Sequence, residues 1–201
     1  MCAPLAFLVA VVVTAYQRPE YSHYTQFISE LGEATGTGAW IMNVFGFGAF
    51  GVLSAIFFAS RYVAVANSRF PTAGRIAIAL SLVFSLGILG AGVFSCDQSC
   101  MPEHATRNQI LHNVASVVLP LFIITIPVWV YHLESLSRAP RFWWYTRVTT
   151  IVAALSFVLM LGAAEDRAGL GMYQRFLVGS LWLWIGVFAW RVYRGEAIDQ
   201  G

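Results

Sequence analysis

The chain alternates between long apolar segments and short polar loops. Six apolar segments follow one another, and with their flanks they predict spans at about 3–17, 38–60, 75–95, 107–131, 142–163 and 171–191. A helix needs about 20 mostly apolar residues to cross the hydrocarbon layer of a bilayer. The pattern therefore predicts an all-α integral membrane protein, with six transmembrane helices in one bundle that forms a single domain over residues 1–201.

The first segment, residues 5–16, is shorter than the others. A secretory signal peptide is the competing interpretation, because such peptides are brief and N-terminal. However, no basic residue precedes the segment and no clear small-x-small cleavage site follows it. We therefore expect a span that starts at the membrane surface.

Composition supports the membrane assignment. Hydrophobic residues make up 58% of the chain and charged residues only 11%, whereas a soluble domain carries about 25% charged residues. All twelve basic residues are arginines and the chain has no lysine, so no nucleic-acid surface is indicated. The expected partners are membrane lipids and other membrane subunits, and no cofactor is expected.

The arginines also predict orientation. Cytoplasmic loops of membrane proteins carry an excess of basic residues. Four arginines flank one side of the spans, namely Arg18, Arg107, Arg167 and Arg175, and eight flank the other, namely Arg61, Arg69, Arg75, Arg138, Arg141, Arg147, Arg191 and Arg194. This asymmetry places both termini in the cytoplasm, and we expect the protein in the bacterial inner membrane. Seven of the ten acidic residues then face outward, so any chemistry is expected there.

The polar stretch 95–113 lies between two apolar segments and ends as a predicted helix start. Thr106, three residues before Gln109, forms a capping-box pattern in which the Thr oxygen accepts a backbone N–H of the first turn. The helix then carries polar residues at i, i+4 and i+8: Asn108, His112 and Ser116. A polar stripe that enters an apolar helix needs partners, since unpaired polar groups in hydrocarbon are costly.

The same stretch allows two readings of its cysteines. Cys96, Cys100, His104 and His112 resemble a zinc set, but seven residues separate the histidines, whereas structural zinc sites usually have three to five. On the oxidising side of the membrane a Cys96–Cys100 disulfide is favoured. Metal binding stays the weaker alternative, with Asp97, His104 and His112 as its candidate ligands.

The first outer loop has amphipathic spacing. As a short surface helix it would place Gln26, Glu30 and Glu33 on one face. Arg175 lies near the outer end of the last span, where it must either snorkel to the surface or pair with a carboxylate. Glu30 is its first expected partner and Asp97 the second. Together the sequence nominates these residues for an outward polar pocket: Ser29, Glu30, Asn43, Asp97, His104, Asn108, His112 and Arg175.

Several short motifs resemble a known family. They are Tyr21-Ser22, residues 28–32 (Ile-Ser-Glu-Leu-Gly), Cys96-Asp97 ahead of the helix with His112, and residues 171–175 (Gly-Met-Tyr-Gln-Arg) opening a Trp-containing span. In these the chain resembles the bacterial membrane family known as domain of unknown function 998. Residues 27–43 are also similar to the first outer loop and second span of DRAM/Sfk-type six-helix proteins. The resemblance implies a six-helix bundle with an outward polar pocket and implies no activity.

Three functional classes follow from these observations. The first is a non-catalytic membrane protein that acts as an accessory or structural subunit or through lipids, favoured by short loops and the lack of a complete catalytic set. The second is a metal-assisted hydrolase of lipid-like substrates, using Ser29, Asp97, His104 and His112. The third is a small-molecule or ion carrier, although no inverted repeat is evident.

Overall fold

The computed structural model describes residues 2–67, 71–134 and 140–195, and in this part of the chain the regular elements are all helices, without strands. Its α-helices are α1 (Cys2–Tyr16), α2 (Ala39–Ile41), α3 (Ala49–Ala59), α4 (Tyr62–Ala66), α5 (Pro71–Val93), α6 (Arg107–Ser116), α7 (Val118–Glu134), α8 (Pro140–Gly162) and α9 (Leu170–Tyr193). Two 3-10 helices, Ile28–Gly32 and Gln98–Cys100, lie in loops, and a π-helical stretch, Met42–Gly48, joins α2 to α3. Arg69 and Arg138, used above to predict orientation, lie outside the described residues.

Five helical stretches are long and apolar enough to cross a bilayer. They are Ala39–Ala66, Pro71–Val93, Arg107–Trp129, Arg141–Gly162 and Leu170–Tyr193, and they match the second to sixth predicted segments. The protein is therefore a multi-pass helical membrane protein. α1 is apolar but has 15 residues, and at 1.5 Å per residue it is about 22 Å long, shorter than the hydrocarbon layer of about 30 Å.

The fourth predicted segment is divided rather than continuous. α6 ends at Ser116, and α7 begins at Val118. Pro120 explains the position of the break, because its ring clashes with the carbonyl four residues earlier and it has no N–H to donate. That carbonyl belongs to Ser116, the last residue of α6. The break therefore separates α6, which is the more polar part of this span, from α7, which is apolar.

α3 and α5 pack closely along glycines. A Cβ at Gly51 would lie 2.8 Å from the carbonyl oxygen of Ser85, and a Cβ at Gly92 would lie 2.6 Å from that of Asn43. Small residues permit such close backbone approach between membrane helices. The π-helical stretch lies at this contact. Single π-turns within α-helices are frequently found at functional sites.

Aromatic rings fill the centre of the bundle. Phe50 stacks on Trp182 with ring centroids 4.1 Å apart, and Phe84 stacks on Phe122 at 4.0 Å. All four belong to one buried cluster that includes residues from α1, α3, α5, α7, α8 and α9. Offset ring pairs of this kind add roughly 0.5–1.5 kcal/mol each beyond area burial, so the helices are held by ring packing as well as by close backbones.

Candidate functional site

Three loops meet at one end of the bundle, which we call the loop end: residues 17–38, 94–106 and 163–169. Backbone hydrogen bonds join them directly. The Ala34 N–H donates to the Cys96 carbonyl at 3.0 Å, and the Met172 N–H of α9 donates to the Tyr24 carbonyl at 3.2 Å. These bonds place most of the predicted polar residues in one region.

Glu30 is a buried carboxylate of the loop end. Its side chain is only 2% exposed, although it lies in the 3-10 helix of a surface loop. The carboxylate accepts hydrogen bonds from the Phe27 N–H and from Gln26 Nε2, both at 2.9 Å. It also pairs with the Arg167 guanidinium. Buried charges are stable only when they are paired and hydrogen-bonded in this way.

Arg167 connects all three loops. Besides Glu30, its guanidinium donates to the Thr25 carbonyl of the first loop and the Ser99 carbonyl of the disulfide loop, both at 3.4 Å. It also lies 5.7 Å from the centre of the Phe27 ring. Its own backbone has φ +61°, a conformation that most residues avoid. The Arg167 guanidinium therefore lies at the junction of the three loops.

Arg18 has a buried guanidinium, with a side chain that is 6% exposed. It donates to three backbone carbonyls: Glu30 at 2.6 Å, Leu31 at 3.0 Å and Thr37 at 2.9 Å. It also forms an ion pair with Glu33 at 3.4 Å. The planar fork of an arginine can satisfy several acceptors at fixed angles, which a lysine cannot do. Arg18 thus holds the end of the 3-10 helix and the return of the chain toward α2.

Arg175 has different partners from those expected. Its guanidinium donates to the Gln26 carbonyl at 3.0 Å, the Gly171 carbonyl at 2.8 Å, His23 Nδ1 at 3.2 Å and the Tyr21 hydroxyl. These contacts attach the start of α9 to the first loop.

The prediction that Arg175 forms an ion pair with Glu30 is therefore wrong. Arg167 takes the carboxylate, because the turn before α9 directs it into the loop junction. The alternative partner Asp97 is engaged elsewhere: its carboxylate accepts from the Thr106 N–H at 2.9 Å and from Thr106 Oγ1 at 2.7 Å.

Two titrating groups beside Arg175 have shifted pKa values. Burial raises the pKa of Tyr21 to about 12, although the nearby Arg175 charge opposes the rise. Tyr21 is therefore a neutral phenol near pH 7 and donates to the Phe27 carbonyl at 2.8 Å. Burial and the Arg175 charge lower the pKa of His23, since both disfavour a second cation at this point.

The disulfide loop is built as predicted. Cys96 and Cys100 are joined by a disulfide, and Thr106 caps α6 by accepting the Gln109 N–H at 3.2 Å. The reciprocal half of the capping box differs, because Asp97 rather than Gln109 accepts the Thr106 N–H. Gln109 instead turns inward and bonds the Asp97 N–H and the Cys100 carbonyl.

His112 is buried beneath this loop. Its Nδ1 lies 3.1 Å from the Ala91 carbonyl and 2.8 Å from the Phe94 carbonyl, so it satisfies the C-terminal end of α5. Its ring also lines a cavity of about 30 Å³, to which Ser29, Ser116 and Gln174 contribute polar side chains. A cavity of this size is far smaller than typical ligand pockets of about 300–1,000 Å³.

Asn43 links the second span to two loops. Its side-chain amide donates to the Gly32 carbonyl at 2.9 Å and to Ser95 Oγ at 3.0 Å. A Cβ at position 32 would lie 2.2 Å from Asn43 Oδ1. Glycine at position 32 is thus what allows the 3-10 helix to rest on the π-helical stretch.

The remaining predicted residues lie apart from one another. Ser29 borders the cavity with His112, whereas His104 and Asn108 are exposed on the surface. Asn108 does not belong to a buried stripe with His112; Gln109, one position later, does. Ser29, His112 and Asp97 do not form a nucleophile–base–orienter chain, because Asp97 bonds Thr106 and His112 Nδ1 faces carbonyls.

A wide groove lies on the side of the bundle between the second span and α5. It has a volume of about 670 Å³ and is lined by Asn43, Val44, Gly48, Ala49, Val52, Leu53, Leu89, Gly92 and Val93. Apart from Asn43 these side chains are apolar or absent.

The sequence profile of the family described as "Protein of unknown function (DUF998)" matches residues 1–191. The chain belongs to this DUF998 family. The match includes the whole loop end and every helix described above, apart from the last two residues of α9. No curated protein and no solved structure matches the chain.

Within this DUF998 chain, sequence reasoning missed three residues of the site. In the sequence Arg18 and Arg167 appear only as flanking charges, and Gln174 appears as part of a motif. In the structure each side chain forms hydrogen bonds within the site; Gln174 Oε1, for example, accepts the Ile28 N–H. A signal for Arg18 existed, since an arginine directly after an apolar helix must snorkel or find acceptors.

Proposed function

We propose that this chain is a non-catalytic six-span protein of the bacterial plasma membrane that binds a membrane lipid in its lateral groove. The observation that carries the proposal is the groove itself. Its volume of about 670 Å³ lies within the range of about 300–1,000 Å³ typical of ligand sites. It opens on the side of helices that are long enough to span the membrane, where the neighbouring molecules are lipids.

The shape of the groove follows from its glycines. Gly48 and Gly92 line the groove where the π-helical stretch meets α5, and neither adds a side chain to its wall. Its apolar walls suit an acyl chain. Asn43 is the polar side chain of the lining and lies at the loop end of the groove, which suits the more polar part of a lipid. The groove therefore fits a lipid of the leaflet next to the loop end.

The loop end supports a structural role in the same protein. Arg167 pairs with Glu30 of the first loop, and Arg18 is bound by carbonyls and by Glu33 of its own loop. The cavity beside Ser29 and His112 has a volume of only about 30 Å³. Such an arrangement fixes three loops to one another rather than binding a large substrate. An accessory subunit of a membrane complex would use the same rigid loop end as a contact surface.

Photo-crosslinking tests lipid binding. The chain is purified from cells grown with a photoactivatable fatty acid, and cross-linked peptides are mapped by mass spectrometry. We expect cross-links on residues 43–53 and 89–93. Val52→Trp should remove most of them, because Val52 lines the groove and is 45% exposed. Val148→Trp is the matched control, since Val148 is 55% exposed on α8 outside the groove. Equal labelling of both variants would contradict the proposal.

Cysteine labelling tests the orientation. In a Cys2→Ser background, which removes the exposed free cysteine, Glu165→Cys reports the loop end and Tyr62→Cys the opposite end; both positions are exposed. With cytoplasmic termini, an impermeant thiol reagent added to intact cells should label position 165 and spare position 62. The reverse pattern would contradict the orientation.

A further inference from the structure

Cys96, Cys100 and His112 come together at one buried point under the loop end. The two Sγ atoms and a ring nitrogen of His112 all lie within 4.8 Å of one another. The two cysteines form a disulfide in the structure. We propose that reduction of this disulfide converts the point into a Zn²⁺ site, with ligands Cys96 Sγ, Cys100 Sγ and His112 Nε2.

The orientation of His112 supports this assignment. Its Nδ1 faces the Ala91 and Phe94 carbonyls, which makes Nδ1 the protonated nitrogen and leaves the Nε2 lone pair free. Metal-binding histidines almost always donate their other ring N–H to a carbonyl or carboxylate, which fixes the ring for coordination. His104, which the sequence had suggested as a ligand, is exposed and does not belong to this group.

Ligand type and charge select the metal. Two thiolates and one imidazole suit Zn²⁺, and three residues between cysteines is a spacing found in zinc sites. Two thiolates and Zn²⁺ form a neutral group, which a buried position tolerates better than a net charge. The described residues supply three ligands here, so the fourth ligand of a tetrahedral site would be a water molecule or an exogenous group.

The conversion has a defined balance. A dithiol reductant delivers two electrons and two protons to the disulfide, giving two cysteine thiols, and is itself oxidised to a disulfide. Zn²⁺ binding then displaces the two thiol protons, because cysteine coordinates as the thiolate. The oxidised chain cannot bind in this way, since its sulfur atoms are bonded to each other.

Metal titration tests the proposal on the full chain in detergent. After treatment with a chelator and a phosphine reductant, the reduced protein should bind one Zn²⁺ per chain in competition with a chromophoric chelator. The unreduced protein should bind none. Co²⁺ in place of Zn²⁺ should give the intense sulfur-to-metal absorption of a thiolate site.

Matched histidine variants decide the ligand. His112→Asn keeps an N–H donor at the place of Nδ1 but lacks Nε2, so the fold is retained while Zn²⁺ affinity falls at least about tenfold. His104→Asn should bind as the parent does. The paired change Cys96→Ser with Cys100→Ser should abolish binding and the Co²⁺ absorption. Absence of Zn²⁺ binding by the reduced parent, or equal affinities for the two histidine variants, would overturn the proposal.

Discussion

Glu30 and Arg167 form an ion pair between the first loop and the last, 137 residues apart in the chain. Their environments differ, because the Glu30 side chain is 2% exposed and that of Arg167 is 26% exposed. The pair joins two loops whose helices, α1 and α9, also pack on each other through Phe7 and Trp182. It is thus a closing contact of the bundle.

Breaking this pair should be asymmetric. Arg167→Met leaves a buried carboxylate without its cation and should destabilise the protein by about 3–5 kcal/mol. Glu30→Gln should cost less, because Arg167 keeps its carbonyl acceptors and some solvent. The double variant should be no less stable than Arg167→Met alone, because Glu30→Gln removes the unpaired charge; thermal unfolding in detergent measures this. Arg175→Met is the control: combined with Glu30→Gln its effect should add, since Arg175 does not contact the carboxylate.

Arg18→Lys should loosen the first loop despite keeping the charge. A lysine cannot reach the Glu30, Leu31 and Thr37 carbonyls together, and each buried acceptor left unpaired costs about 1–3 kcal/mol. Hydrogen exchange of peptides covering residues 28–38 should therefore become faster. Arg107→Lys, at an exposed position at the start of α6, should leave exchange in these peptides unchanged. Unaltered protection in Arg18→Lys would contradict the role assigned to the guanidinium.

The free energy of unfolding should decrease below neutral pH because His23 becomes protonated more readily in the unfolded chain. Its folded pKa lies below the ordinary value of 6.5, so between these values the unfolded chain binds more protons and stability rises with pH. The melting temperature should therefore fall as the pH drops through about 6.5 and level off below the folded pKa. His23→Gln should reduce this dependence, whereas His104→Gln should preserve it. An identical pH profile for parent and His23→Gln would rule out this residue.

Two glycine-to-alanine changes should have different effects on the melting temperature. Gly32→Ala places a methyl group where Asn43 Oδ1 lies 2.2 Å away, so the 3-10 helix must lift from the second span and the melting temperature should drop. Gly179→Ala, inside α9, meets nothing within 4 Å. It should be neutral or stabilising by up to about 1 kcal/mol, the helix-propensity difference between the two residues. A small effect at position 32 would mean that this contact is adaptable.

Part of the candidate site was predictable because its signals are local. The capping of α6 by Thr106 depends on residues three positions apart, and the Cys96–Cys100 disulfide on residues four positions apart. The helical break coincides with Pro120, which has no N–H to donate and whose ring clashes with the carbonyl four residues earlier. In contrast, the choice of Gln109 over Asn108 as the buried amide depended on the rotation of α6 about its axis, which its neighbours determine.

The sequence by itself determined that this is a multi-pass helical membrane protein, and it favoured a disulfide in the central polar loop. Hydropathy, composition and short spacings are properties of the chain that do not depend on which helices are neighbours. The tertiary structure decided that Glu30 pairs with Arg167 rather than Arg175, and that His112 meets the two cysteines. Both relationships join residues from separate loops or helices. Their distances depend on helix packing and on the turn before α9, where φ values of +61° at Arg167 and +77° at Gly169 direct the chain.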